Sequence, residues 1–225
     1  ELIKDYLVSV SNLHINACDQ IGLANSGKRN TLTFLDDERF IEEAKKNSNI
    51  KGVLACPSLN ISPWDGVQII PCNEPRFALY KLLEETAVDR PFEATSIDDT
   101  AQLGDNVCIS DCGVIIGPNV RLEDNVTIGP WTYIGDNTVI RSGTRIGMEG
   151  LERKVARNGD VLFVSHRGGV RIAEYAQIGP NVVIDRGISA DSDTIIGKYT
   201  AIGALSHIAH GVKLGDRVFA AANAL

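Results

Sequence analysis

The chain has no apolar run approaching the ~20 residues that a membrane-spanning helix needs, and no signal-peptide pattern at its start. The expectation is therefore a cytoplasmic protein with no membrane insertion. It has no excess of basic charge: Lys and Arg number 22 against 29 Asp and Glu, a net charge of −7. That balance argues against nucleic acid as a partner. It also lacks any CxxC spacing. The five cysteines (Cys18, Cys56, Cys72, Cys108 and Cys112) are odd in number and read as thiols, with no metal site or disulfide framework expected. The first residue is Glu1 rather than Met, as in a processed or trimmed chain. What remains is 225 residues, enough to bury a sizeable core in one or two domains.

From Thr95 onward one pattern returns every six residues. Aliphatic residues stand at Ile97, Leu103, Ile109, Ile116, Leu122, Ile128, Ile134, Ile140 and Ile146, then at Ile172, Ile178, Ile184, Ile196, Ile202, Ile208 and Leu214. Gly follows many of them, as at Gly104, Gly117, Gly129, Gly135, Gly179 and Gly203. A short fixed period denotes a solenoid, each unit burying its apolar side chain only by stacking on its neighbours. Apolar residues six apart would drift around a helix, whereas a short strand and a corner suit that spacing. Three such strands predict a triangular coil of about 18 residues, stacked ~4.8 Å apart.

Residues 1–92 carry no hexads and read as a small α/β domain. Leu32-Thr33-Phe34-Leu35 has strand character, as do Gly52-Val53-Leu54-Ala55 and Val67-Gln68-Ile69-Ile70, these two bounded by Pro57 and Pro71. Asp37 opens a helical stretch over Glu38–Lys46, and Pro75 opens an amphipathic helix to about Glu85. Val88–Ser96 reads as a linker. The second domain, 93–225, is interrupted at 148–168, where an inserted loop holds Glu149, Glu152, Arg153, Lys154, Arg157, His166 and Arg167. Counting coils of 18 puts Ile172 and Ile208, 36 residues apart, on one face, with the basic loop entering that face near His210.

The hexads resemble the hexapeptide-repeat acyltransferases, which implies a mainly β fold, a left-handed parallel β-helix. Usual crossover rules favour the right hand, so the left hand comes from the resemblance alone. The N-terminal segments Leu32–Phe40 and Asn73–Tyr80 resemble the nucleotide-binding domain of the UDP-3-O-acylglucosamine N-acyltransferase family of lipid A synthesis. That likeness implies Phe34 and Phe40 as the clamp on uracil, against the alternative that both rings cap a small core.

The second block of hexads holds Asp185-Arg186-Gly187, Asp193-Thr194-Ile195-Ile196-Gly197 and Ser206-His207-Ile208-Ala209-His210-Gly211. Order and spacing are similar to the same family, and the resemblance implies His210 as general base. The doubled histidine also resembles the related O-acyltransferase acting on UDP-N-acetylglucosamine. An amine attacks a thioester only as it sheds a proton, and imidazole suits that task near neutral pH. His207, Asp185, Arg186 and Arg167 are the further candidates for substrate contact. The family's polar Asp-Asn-Gln is replaced by Gly203-Ala204-Leu205, and the coil after His210, about position 228, lies past Leu225. The implied enzyme is a homotrimer with no bound cofactor. Its acyl donor is acyl carrier protein or coenzyme A as co-substrate, and its acceptor is a nucleotide-linked amino sugar. Two alternatives stay open: a coenzyme A-dependent sugar acetyltransferase of surface-polysaccharide synthesis, and an inactive β-helix scaffold.

Overall fold

The computed structural model describes residue 18 and residues 20–24, 26–86 and 88–225; residues 1–17 of the expected α/β domain lie outside them. The chain divides into two compact units. One comprises the residues before Val88 together with Arg153–Val164, and the other Val88–Glu152 with Ser165–Leu225. Among the described residues no helix is long and apolar enough to cross a membrane.

The first unit is built on a parallel sheet in the order β1 (Gln20–Ile21), β2 (Thr31–Leu35), β3 (Ile50–Ala55), β4 (Gln68–Pro71). Asp37 caps a 3₁₀ turn, Glu38–Phe40, by accepting from the Arg39 amide at 2.9 Å, and α1 (Ile41–Lys45) follows. Pro75 starts α2 (Pro75–Thr86), where its missing N–H costs nothing. Side-chain alternation along the strands separates two cores. Leu32, Leu54 and Ile70 pack with Phe77, Ala78 and Leu79, while Leu35 and Val53 pack with Ile41 and Ala44. A register shift between Thr31 and Leu32 lets Ile50 join the second core although it is three residues from Val53.

Residues 148–168, expected whole as a loop of the β-helix, are divided. Arg153–Val164 belongs to the α/β unit, where Ala156 and Leu162 pack into the cluster of Leu32, Leu54 and Phe77. It carries most of a hairpin, Glu152–Val155 with Val161–Val164, whose turn uses Gly159 at φ 93°. Apolar side chains on one side of the Val161–Val164 strand decide this. A solvated loop has no use for them, and α2 does.

The second unit is a parallel β-helix of three faces. The first face stacks Ser96–Ile97, Ile115–Ile116, Thr132–Ile134, Val170–Ile172, Thr194–Ile196 and Lys213–Leu214. The second stacks Gln102–Leu103, Arg121–Leu122, Val139–Ile140, Gln177–Ile178, Ala201–Ile202 and Phe219–Ala220. The third stacks Cys108–Ile109, Thr127–Ile128, Arg145–Met148, Val183–Asp185 and His207–Ile208. Ile128, Ile134, Ile140, Ile178, Ile184, Ile202 and Ile208 all point into one core, as the hexads predict, whereas Ile97 and Leu103 in the first coil stay exposed. Asn106, Asn119, Asn125, Asn137 and Asn181 turn corners at positive φ, a conformation that Asn tolerates better than most residues.

Ile172 and Ile208 do not share a face. Ile172 pairs with Ile196 on the first face and Ile208 with Ile184 on the third. The coil between them is longer than 18: Ile184 to Ile208 is 24 residues (208 − 184), because Arg186–Asp193 adds six. Every departure from the regular period falls at one corner, where the third face turns into the first. Ile109 to Ile116 spans seven residues (116 − 109), Ile146 to Ile172 spans 26 (172 − 146), and Ile184 to Ile196 spans 12 (196 − 184). Their alignment makes that edge the only crowded one among the described coils.

Candidate active site

The crowded corner gathers most of the residues that the motifs single out. His210 lies in the turn after His207–Ile208, its side chain 31% exposed, with Nε2 3.2 Å from Oε2 of Glu152. His207, in the same coil as His210, makes the other pair with the coil beneath: its Nε2 lies 2.8 Å from Oδ2 of Asp185. Asp185 is only 5% exposed, and its carbonyl accepts a hydrogen bond from the Thr194 hydroxyl. Between the pairs stands His166, buried, its ring edge-on to His210 at 5.1 Å between centroids. The His166 amide donates to Glu149 at 2.9 Å. Three imidazoles and three carboxylates thus occupy one edge of the helix.

Glycines make that density possible. A Cβ on Gly150 would stand 2.6 Å from Asp185 Oδ2 and 3.2 Å from His166 Nε2. On Gly187, the last residue of the Asp-Arg-Gly motif, a Cβ would strike the Ser192 carbonyl oxygen. The two inserted segments are joined there by backbone bonds, Gly168 N–H to Gly187 oxygen at 2.7 Å and Arg167 N–H to Ile188 oxygen at 2.8 Å.

The cations of the corner are anchored. Arg186 Nη2 lies 3.4 Å from Glu149 and its guanidinium 5.7 Å from the centre of the Trp131 ring. Burial lowers the Arg186 pKa from the ordinary arginine value, against the opposing pull of Glu149 and Asp89. Arg167 Nε is 3.0 Å from Asp89. Asp193 ties the neighbouring turn together, accepting from Arg90, from Arg171 at 2.9 Å and from the Gly169 amide at 2.8 Å. The expected set His210, His207, Asp185, Arg186 and Arg167 therefore falls within one coil edge. Glu152, Glu149 and His166 belong with it, although the sequence offers them only as members of a charged loop. Trp131 had a signal of its own. It stands at φ 52°, the corner position that Asn takes in other coils.

Phe34 and Phe40 belong to the α/β unit. Phe34 lies under the Arg76 guanidinium at 5.1 Å and beside Tyr80 at 6.4 Å, and Arg76 is itself paired with Asp36. Phe40 is 44% exposed, with Arg39 5.6 Å from its ring centre. A cavity of about 510 Å³ opens in this unit, walled by Asp36, Cys56, Glu74, Arg76, Arg153 and Lys154 among others. Neither Phe34 nor Phe40 is part of its wall.

Residues 113–147 match the bacterial transferase hexapeptide model, a family of six repeats. That stretch of the chain carries hexapeptide repeats. The period, the three stacked parallel faces and this match together give the left-handed β-helix class. The chain is 30% identical over 228 residues to UDP-3-O-acylglucosamine N-acyltransferase 1 of Francisella tularensis subsp. holarctica, covering 87% of this chain and 64% of that one. It thus spans less than two thirds of that relative's length. A second relative, UDP-3-O-acylglucosamine N-acyltransferase of Maricaulis maris, is 38% identical over 76 residues, 34% of this chain and 21% of the other. Among solved structures, a mutant of perosamine N-acetyltransferase from Caulobacter crescentus, in complex with CoA and GDP-perosamine, is similar at 13% identity. It covers 85% of each chain at a TM-score of 0.35.

Proposed function

We propose that this protein transfers an acyl group from a thioester to the amino group of a nucleotide-linked sugar, with His210 as general base. The observation that carries this reading is a partly exposed imidazole, hydrogen-bonded to a carboxylate, at the corner where the coils widen. In the step itself the amine nitrogen attacks the thioester carbonyl and loses its proton to His210. The C–N bond forms, the C–S bond breaks, and the proton passes from His210 to the departing sulfur, giving amide and thiol. Asp185 acts through His207, which faces the acceptor. Arg167 and Arg186 hold the edge with Asp89 and Glu149 while lending positive potential to an anionic substrate. Phe34 and Phe40 recognise the nucleotide base, a role supported by the exposed Phe40 ring.

The donor is acyl carrier protein or coenzyme A. The names of the relatives support UDP-3-O-acylglucosamine as acceptor, and the Gly203-Ala204-Leu205 departure supports a different sugar. The working form is a cytoplasmic homotrimer, a reading supported by exposed Ile115 and Tyr133 on the outer side of the first face. A second reading makes His207 the base, favoured by its shorter bond to the more deeply buried carboxylate. Mass spectrometry of products tests the reaction. UDP- and dTDP-linked amino sugars are offered with acetyl-CoA or acyl carrier protein thioesters. The proposal expects a new amide at the acceptor mass plus one acyl group. Intact acceptor in every combination would favour the scaffold alternative.

A further inference from the structure

We propose that Glu152, delivered by the inserted segment, is the positioning residue of His210, fixing its tautomer and orientation for proton transfer; this rests on the acyl-transfer reading above. Among the described residues the regular coils give His210 no carboxylate. Asp185, one coil below on the same face, turns to His207. The strand holding Ile146 lies two coils below His210, about 10 Å away along the axis by strand spacing, too far for a side chain in register. The insertion removes that limit. The chain leaves the coil after Met148 and brings Glu152 to 3.2 Å from His210 Nε2. Glu152 is 19% exposed at its side chain, so the pair is shielded from most of the solvent.

An ionised carboxylate only accepts hydrogen bonds, so the shared proton belongs to Nε2 and the lone pair is left on Nδ1. Nδ1 then takes the amine proton and returns it to the leaving sulfur, while Glu152 keeps its bond to Nε2–H and stays ionised. The charge on imidazolium is met by the carboxylate for as long as it exists. His166, edge-on at 5.1 Å, limits rotation of the ring from the other side, and the His166 amide is itself tied to Glu149. Glu152, Glu149 and His166 are the titratable groups that face or support the His210 ring, and Asp185 is occupied by His207.

The test uses the full chain, acetyl-CoA or an acyl carrier protein thioester, and a UDP-linked amino sugar. A carboxylate that only sets a histidine's tautomer can be worth up to about 10⁴ in kcat, and this partly exposed pair is expected to give about 10–100-fold. Glu152→Gln should therefore lower kcat by that factor and leave KM within about two-fold, and Glu152→Asp should recover part of the loss. In a His210→Ala background Glu152→Gln should change nothing further, because its effect passes through the missing ring. A kcat for Glu152→Gln within about two-fold of the parent, or an equal loss in both backgrounds, overturns the proposal. Full turnover by His210→Ala instead overturns the reading of the base. Independently of turnover, nitrogen-15 NMR of the histidine rings, above the imidazole titration range, should find His210 protonated at Nε2. That bias should weaken in Glu152→Gln. A parent His210 protonated at Nδ1 refutes the pairing even if the preparation makes no product.

Discussion

Gly150 shows at the residue scale how tightly the corner is drawn. Its Cα passes so close to Asp185 and His166 that any side chain would displace one of them. Asp185 is buried and held by its bond to His207, so the cheaper movement breaks that pair. Gly150→Ala should keep the fold, since Gly150 lies outside the strands, and, because His207 faces the acceptor without taking the proton, should raise the acceptor KM several-fold, roughly 3–10-fold, while most of kcat is kept. Steady-state kinetics beside circular dichroism checks this, and unchanged kinetics in a folded variant would show the contact to be incidental. Motifs made His210, His207 and Asp185 legible in the sequence. Glu152 was not, because hydrogen bonding across 58 residues depends on where an insertion lands rather than on any local period. The rings of Phe34 and Phe40 were legible as aromatics but not as partners of Arg76 and Arg39, since cation–ring contacts are set by side-chain reach.

Hexads dictate the element scale almost completely. Two-residue strands cannot stand alone, and each survives because an aliphatic side chain stacks on the one below it. Ile140, fully buried between Leu122 and Ile178, should lose about 2–5 kcal/mol on Ile140→Ala. Leu103→Ala, at an end position 47% exposed, should cost well under half of that. Denaturant unfolding of the two variants makes the comparison, and equal losses would mean that stacking does not carry the stability. The same hexads explain the error over Ile172 and Ile208. The interval of 12 between Ile184 and Ile196 was visible in the sequence, but a skipped beat and a longer corner look alike without the strand register. Asn at the corners was the stronger signal: Asn106, Asn119 and Asn137 mark turns as their chemistry requires. The hairpin's membership in the α/β unit had only Leu162 and Val164 to announce it, too few apolar residues to tell a packed strand from a loop.

On the scale of the whole molecule, a β-helix is a straight scaffold whose faces are flat and whose chemistry must sit on an edge. Among the described coils one edge receives every irregular segment, and the paired His207 and His210 with it. The proposed trimer predicts a solution mass of three 24.3 kDa chains by light scattering, reduced when Tyr133, 37% exposed on the first face, is replaced by Glu. A single-chain mass for the parent protein would contradict that assembly. The proposal of acyl transfer meets its most direct test in the turnover number of His210→Ala, measured on the same amino-sugar and thioester pair as the parent chain. With His210 as the base, kcat should fall about 10²–10⁴-fold while KM changes little, and His207→Ala should keep most of its kcat. Full turnover by His210→Ala would contradict the account, and a collapse confined to His207→Ala would move the base to the neighbouring pair.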